Sequence, residues 1–172
     1  MLNTVTQRLA AMAAEKDRAA IRPVIEALAD RLSSQSLSSA GLAIKTNGSA
    51  IVKTGASAYY GIAGGTLVTK AAATDMAALV GTVTNAKFNV YCFYIDSAGT
   101  LTTAMGTEGA SLAAVKFPQQ PVNKAMLGFL IVNPTGTGNF VGGTTALDDA
   151  TVVPNAAYVN TQGAFDPSVA LS

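Results

Sequence analysis

The chain has 172 residues, 49% of them hydrophobic and only 12% charged, about half the usual charged share of a soluble protein. That length suffices for one domain with a real core, or for a domain and an arm. The net charge of +1 offers no bulk attraction to nucleic acid or anionic lipid, and no run approaches the roughly 18 apolar residues of a membrane span.

The charges are unevenly placed. Residues 1–31 hold nine of the twenty-one, including all four arginines, whereas the remaining residues carry six lysines and six acids, almost all separated. Two kinds of surface are therefore joined in one chain. There are no histidines, which removes the usual general base, metal ligand and triad partner. Cys92 is the single cysteine, so neither an intrachain disulfide nor a thiolate zinc site is available, and its place in an apolar run makes it a small buried side chain. No basic region followed by an apolar run and a cleavage site opens the sequence, so nothing suggests secretion.

In chain order, residues 3–35 read as helix: Ala, Leu, Met, Arg, Glu and Lys dominate and glycine is absent. Thr4 can cap the start, and Val5, Leu9 and Met12 step by four and three along one face. Pro23 removes a donor and disfavours helical geometry at Arg22, so the pattern predicts either two helices, 4–20 and 23–34, or one helix kinked at Pro23. Beyond it Ile21, Ile25, Leu28 and Leu32 step by four, three and four. So narrow a stripe fits a coiled-coil seam or a docking face, the alternative being packing on the chain's own sheet. Residues 33–41, with five serines, read as a linker, its core at 36–41, ahead of a β domain over 42–172.

Short runs with turn signals follow. Asn47-Gly48 predicts a hairpin between 42–45 and 50–54, and Ala63-Gly64-Gly65 another between 58–62 and 66–70. Thr74–Leu79 suggests one helical turn capped by Thr74. Phe88–Asp96 is the central strand, with apolar groups at both odd and even positions, returning through Asp96-Ser97-Ala98-Gly99 as 100–104. Residues 108–115 are ambiguous between helix and strand, and Ala125–Val132 is a second two-faced strand, returning as Asn139-Phe140-Val141. Gly142-Gly143 marks a bulge or a close backbone approach, and the tail from Leu147 has no clear period. The fold class is mainly β: a compact antiparallel sandwich or barrel preceded by an N-terminal helical arm. Two strands apolar on both faces argue for cover by a second sheet or by neighbouring subunits.

Reactive constellations are missing. Asp148-Asp149, with Asp96 or Asp166, is better read as a turn than as a cation site. Gly136-Thr137-Gly138-Asn139-Phe140-Val141-Gly142 is one residue too long for a dinucleotide fingerprint and lies between strands. Tyr59-Tyr60 in a strand puts one ring on each face, one in the core and one at a subunit contact, with no basic residue interleaved as nucleic acid would need. Neither catalysis nor a cofactor is expected.

The order of segments resembles a known family. Gly41-Leu42-Ala43-Ile44-Lys45 leads to Ala50-Ile51-Val52-Lys53-Thr54-Gly55, then Tyr59-Tyr60-Gly61-Ile62 and Gly65-Thr66-Leu67. After Asp96-Ser97-Ala98-Gly99-Thr100 come Phe117-Pro118-Gln119-Gln120-Pro121, Lys124-Ala125-Met126-Leu127-Gly128-Phe129 and Phe140-Val141-Gly142-Gly143-Thr144-Thr145-Ala146-Leu147-Asp148. Over residues 40–165 this is similar to the head-fibre and decoration proteins that cement the capsids of tailed bacteriophages. The resemblance implies a small β domain, commonly trimeric, on the outer capsid surface of the virion after a stage in the host cytoplasm. Its partners would be the major capsid protein and copies of itself, with no nucleic acid and no membrane. Val5, Leu9, Met12, Ile21, Ile25, Leu28 and Leu32 would then form a capsid or subunit interface, with Arg8, Arg18 and Arg22 pairing with acids. A host-glycan-binding module of a head or tail fibre is the alternative, and a glycan hydrolase is a poor third because acids are few and scattered.

Overall fold

The computed structural model describes residues 15–163 together with Phe165 and Leu171. One helix, α1 (Glu15–Ser33), precedes eleven strands: β1 (Gln35–Ser36), β2 (Ala43–Ile44), β3 (Val52–Lys53), β4 (Tyr59–Ala63), β5 (Thr66–Lys70), β6 (Thr82–Val83), β7 (Asn89–Ile95), β8 (Leu101–Met105), β9 (Ala125–Val132), β10 (Phe140–Val141) and β11 (Ala157–Asn160). A four-stranded sheet has the order β11-β9-β7-β8 and a three-stranded one the order β1-β4-β5; β2 pairs with β3 and β6 with β10. Among the described residues every strand pairing is antiparallel and no barrel closes.

Local chemistry accounts for the hairpins. Gly48 turns β2 into β3 at φ +76°, and Gly64 and Gly65 turn β4 into β5 at φ +55° and +78°, a region that costs glycine least. Asp96 holds the β7–β8 turn, its carboxylate accepting from the amides of Ala98 (3.0 Å) and Thr100 (2.9 Å).

Strand β7 carries the core. Tyr91, Phe93 and Ile95 face one cluster, which takes Ala125, Leu127, Leu130 and Val132 from β9 and Tyr59, Ala63 and Val68 from the three-stranded sheet. Val90, Cys92 and Tyr94 face a second cluster with Met126, Phe129 and Val115. Phe117 and Phe165 cover that face, ring centroids 5.0 and 5.3 Å apart from Phe129 and Phe117 respectively. Both faces of both central strands are thus buried by their own chain. Of the two covers expected, a second sheet or neighbouring subunits, the three-stranded sheet supplies one face, and loop 107–117 with Phe165 and Leu171 supplies the other.

Strand β9 keeps its apolar residues inside by an irregularity. Phe93 pairs with Gly128 but Tyr94 with Met126, so one extra residue enters β9 and reverses its alternation; Leu127 and Leu130 then reach the same cluster. Gly128 sits at φ +154°, and a Cβ there would run into the carbonyl oxygen of Val159. Beside the bulge the Met126 carbonyl accepts from Ser36 Oγ (2.5 Å) and Thr161 Oγ1 (2.6 Å), and Ser36 Oγ accepts from the Tyr59 hydroxyl (2.8 Å).

That knot corrects the linker. Ser36 is buried in β1, pairs with Gly61 and bridges to Gly163, and Ser34 Oγ accepts the Gly64 amide (3.1 Å). Ser34 and Ser36, read as linker residues that build no core, are tied in because their hydroxyls satisfy backbone groups that the sheets leave open. The helix also differs from one of its two readings. It runs through Pro23 without a break, and both Pro23 and Ala19, whose carbonyl loses its donor, are exposed residues. The expected turn of helix at 74–79 is absent: Asp75 bridges to Lys53 and Thr74 Oγ1 donates to Ala71 O (2.8 Å). Strand β10 pairs with β6 rather than returning along β9, and β11 lies in the tail that showed no period.

Candidate interaction surface

Helix α1 carries three of the large hydrophobic side chains exposed among the described residues, Val24, Leu28 and Leu32. Nineteen residues give a rod on the order of 28 Å long. It is tied to the β domain at its C-terminal end, where the Asp30 carboxylate accepts the Asn123 amide (2.8 Å) and the Ser33 carbonyl accepts the Gly65 amide (2.8 Å). Of the residues singled out from the sequence, Ile21 and Ile25 are half-buried, while Leu28 and Leu32 are 57% and 59% exposed. Among the described residues, the chain's own sheet leaves Leu28 and Leu32 of this stripe uncovered. Arg18 lies within the helix; Val5, Arg8, Leu9 and Met12 lie outside the described residues.

Arg22 does not stand apart as expected for a cation awaiting an acid elsewhere. Its Nε donates to Glu26 Oε1 at 2.7 Å one turn on, and this hydrogen bond, with the carboxylate's charge, raises the guanidinium pKa further.

The sequence reading missed a neighbouring apolar area. Val24, 67% exposed, flanks the stripe on the helix. On the outer face of the three-stranded sheet, Tyr60 is 47% and Leu67 64% exposed, with Ile62 paired to Leu67 on one side and to Gln35 on the other. Tyr59, next in sequence, is fully buried, so the tyrosine pair does divide between core and surface. The alternation of 59–63 and of 66–70 gives each strand's outer face, and the register of the two strands brings Tyr60, Ile62, Leu67 and Thr69 together, uncharged. Gln35 links this face to the helix, its side-chain amide donating to Leu32 O (2.8 Å).

A second feature is an open groove of about 290 Å³ lined by Ile44, Leu147, Val153, Pro154, Asp148 and Tyr158, among others. Both carboxylate oxygens of Asp148 accept the Gly48 amide, at 3.1 and 3.0 Å. The Tyr158 hydroxyl is covered and unpartnered, and burial, then the charge of Asp148, pushes its pKa up to about 12. Asp149 is a turn residue: bonds from the Thr151 hydroxyl (2.6 Å) and amide (2.9 Å) hold its carboxyl below the usual range. Hydrogen bonds from the Thr100 and Ala98 amides do the same for Asp96. Among the described residues no group of three His, Cys, Asp or Glu could hold a metal ion, and no helix is long and apolar enough to cross a membrane.

Comparison with protein-family models, with curated proteins and with solved structures finds no match for this chain.

Proposed function

We propose that this is a non-enzymatic virion structural protein that decorates a phage capsid and cements it by bridging major capsid protein subunits, as a homo-oligomer, most simply a trimer. In this reading it occupies the outer capsid surface after a stage in the host cytoplasm, and its β domain is a sandwich. The burial of β7 and β9 within the chain withdraws one argument for partners. Support comes instead from the order of segments and the scarcity of charge. The observation that carries the reading is the helical stripe, with Leu28 and Leu32 more than half exposed on an arm anchored at one end.

The mechanism is mechanical. Packed DNA presses outward on a shell, and a protein that binds only assembled subunits raises the free energy of separating them by mass action. Many weak contacts repeated over the lattice add avidity without one tight site. A β domain with its core closed on itself suits this role, because it bears load without depending on its neighbours to stay folded.

The test is to add purified chain to capsids stripped of it and heat both samples. Shells that open at a higher temperature with the protein support cementing; equal opening temperatures refute it. Removing residues 1–32, which spares Ser34 and Ser36 in the sheet, should abolish binding to the shell. The groove beside Asp148 and Tyr158 favours a second reading, a host-glycan module. Under that reading glycan binding survives removal of 1–32 and is lost in Asp148→Ala.

A further inference from the structure

We propose that Asn47-Gly48 is a self-modification site, an asparagine set to close on the next amide and lose ammonia, and that Asp148 holds it unreacted. The inference concerns the β2–β3 turn and goes beyond the reading above, because it holds whatever the chain binds.

The chemistry starts from the turn. The Ser49 amide donates to the Thr46 carbonyl at 3.1 Å, and Gly48 takes φ +76°, a conformation that favours glycine. Having no Cβ, glycine also shields its own amide nitrogen least. A Cβ placed at Gly48 would meet nothing within 4 Å, so the space on that side is open. Asn47 is exposed, and its carboxamide makes no hydrogen bond among the described residues. This is the one Asn-Gly pair in the sequence. A nucleophile and its electrophile therefore lie side by side with no wall between them.

The reaction balances with water as the only reagent. The Gly48 nitrogen gives up its proton and bonds to Asn47 Cγ. The bond from Cγ to the side-chain nitrogen breaks, and ammonia leaves with that proton. Water then opens the five-membered imide at one carbonyl or the other. The product is aspartate, or isoaspartate with the backbone rerouted through the side chain. The attacking species is the deprotonated amide, so whatever favours the N–H form slows the first step.

Asp148 favours the N–H form. Both its oxygens accept the Gly48 N–H, at 3.1 and 3.0 Å, across 100 residues of sequence. A hydrogen bond to the neutral form disfavours the ionised one, and a carboxylate beside the nitrogen opposes a second negative charge. The loop that carries Asp148 is fixed, because Leu147 is buried in the core and its amide donates to the Ser49 carbonyl at 2.9 Å. Asp148 is a positioning residue here; no bond to it forms or breaks.

Modification undoes its own restraint. A carboxylate at position 47 would sit close to Asp148, and isoaspartate adds a methylene to the turn, so either product loosens the tip from the loop. Ile44 and Asp148 line one groove, which would change shape with the tip.

The experiment holds the full chain at mildly alkaline pH and reads conversion at Asn47 by peptide mass spectrometry, with isoaspartate read by enzymatic methyl labelling. Folded wild type should convert more slowly than the same chain in urea. Asp148→Ala should convert roughly ten- to a hundredfold faster than folded wild type. Asp148→Asn, which keeps an acceptor but loses the charge, should fall between the two. Amide hydrogen exchange separates the grip of Asp148 from mere loosening of the hairpin, because base-catalysed exchange also passes through the deprotonated amide. In Asp148→Ala the Gly48 amide should exchange faster, while the Ser49 amide, bonded to Thr46, keeps its rate. Conversion of Asp148→Ala at the wild-type rate overturns the inference. So does a folded wild type that converts as fast as the unfolded chain, or equal acceleration of exchange at Gly48 and Ser49.

Discussion

Helix α1 and strand β7 are both rich in apolar residues, and the chain treats them in opposite ways. Every residue of β7 is buried, its two faces closed by two clusters from the same molecule. The helix exposes Val24, Leu28 and Leu32 and touches the β domain through a carboxylate on its far side. Apolar content alone therefore says nothing of partners; what matters is whether the chain has length left to cover it. For β7 and β9 the loop at 107–117, Phe165 and Leu171 provide that cover. For the helix no described segment does.

Substitutions can sharpen this contrast. The largest effect is expected at Gly128→Ala in β9. It adds a methyl against the Val159 carbonyl at a backbone angle that favours glycine, and should remove more than about 3 kcal/mol of stability or prevent folding, read by urea denaturation. Alkaline pH comes next. Burial pushes the Tyr91 hydroxyl and the Cys92 thiol up to about 12 and raises Tyr94 and Tyr59 as well. In the unfolded chain these groups ionise at their ordinary values, so the folded state binds more protons above about pH 9–10. Stability is then full below that point and falls as pH rises toward 12. A two-unit shift corresponds to roughly 2–3 kcal/mol for a group such as Tyr91. A melting temperature flat from pH 8 to 12 would show that the core admits water.

Ser36→Ala should cost about 1–3 kcal/mol in thermal unfolding, because it strips one donor from the Met126 carbonyl and leaves the buried Tyr59 hydroxyl without its acceptor. The same substitution in a free linker would be silent. Smallest is Glu26→Ala, which breaks an exposed one-turn ion pair and should leave the melting temperature unchanged within error. A clear loss there would mean that the pair is covered by another chain.

Much of the β architecture was legible in the sequence. Asn47-Gly48 and Gly64-Gly65 announce their hairpins because few residues accept positive φ, and β7 and β9 stand out by aromatic and β-branched density. Long-range pairings were not legible. Strand β10 meets β6 rather than its neighbour in sequence, and β11 gains its place from a partner, β9, that supplies the burial its own pattern lacks. The bulge at Gly128 defeats a strict period of two, so the two clusters could not be assigned by parity along β9. Serine composition misled at 34–36 because hydroxyls that look solvated can satisfy buried carbonyls. At the interaction surface, the stripe at 21–32 was readable from spacing, whereas Tyr60 and Leu67 required the register of two strands to bring them together.

Residue-level hydrogen exchange on the wild type and on the double variant L28E/L32E, each mixed with capsids stripped of the protein, measures both halves of the contrast at once. The account predicts that amides of residues 21–32 are protected in the wild type and exchange freely in the variant, while those of Asn89–Ile95 and Ala125–Val132 keep identical protection in both. Equal exchange of the helix in the two proteins, or a loss of protection in the strands on changing the helix, would contradict it.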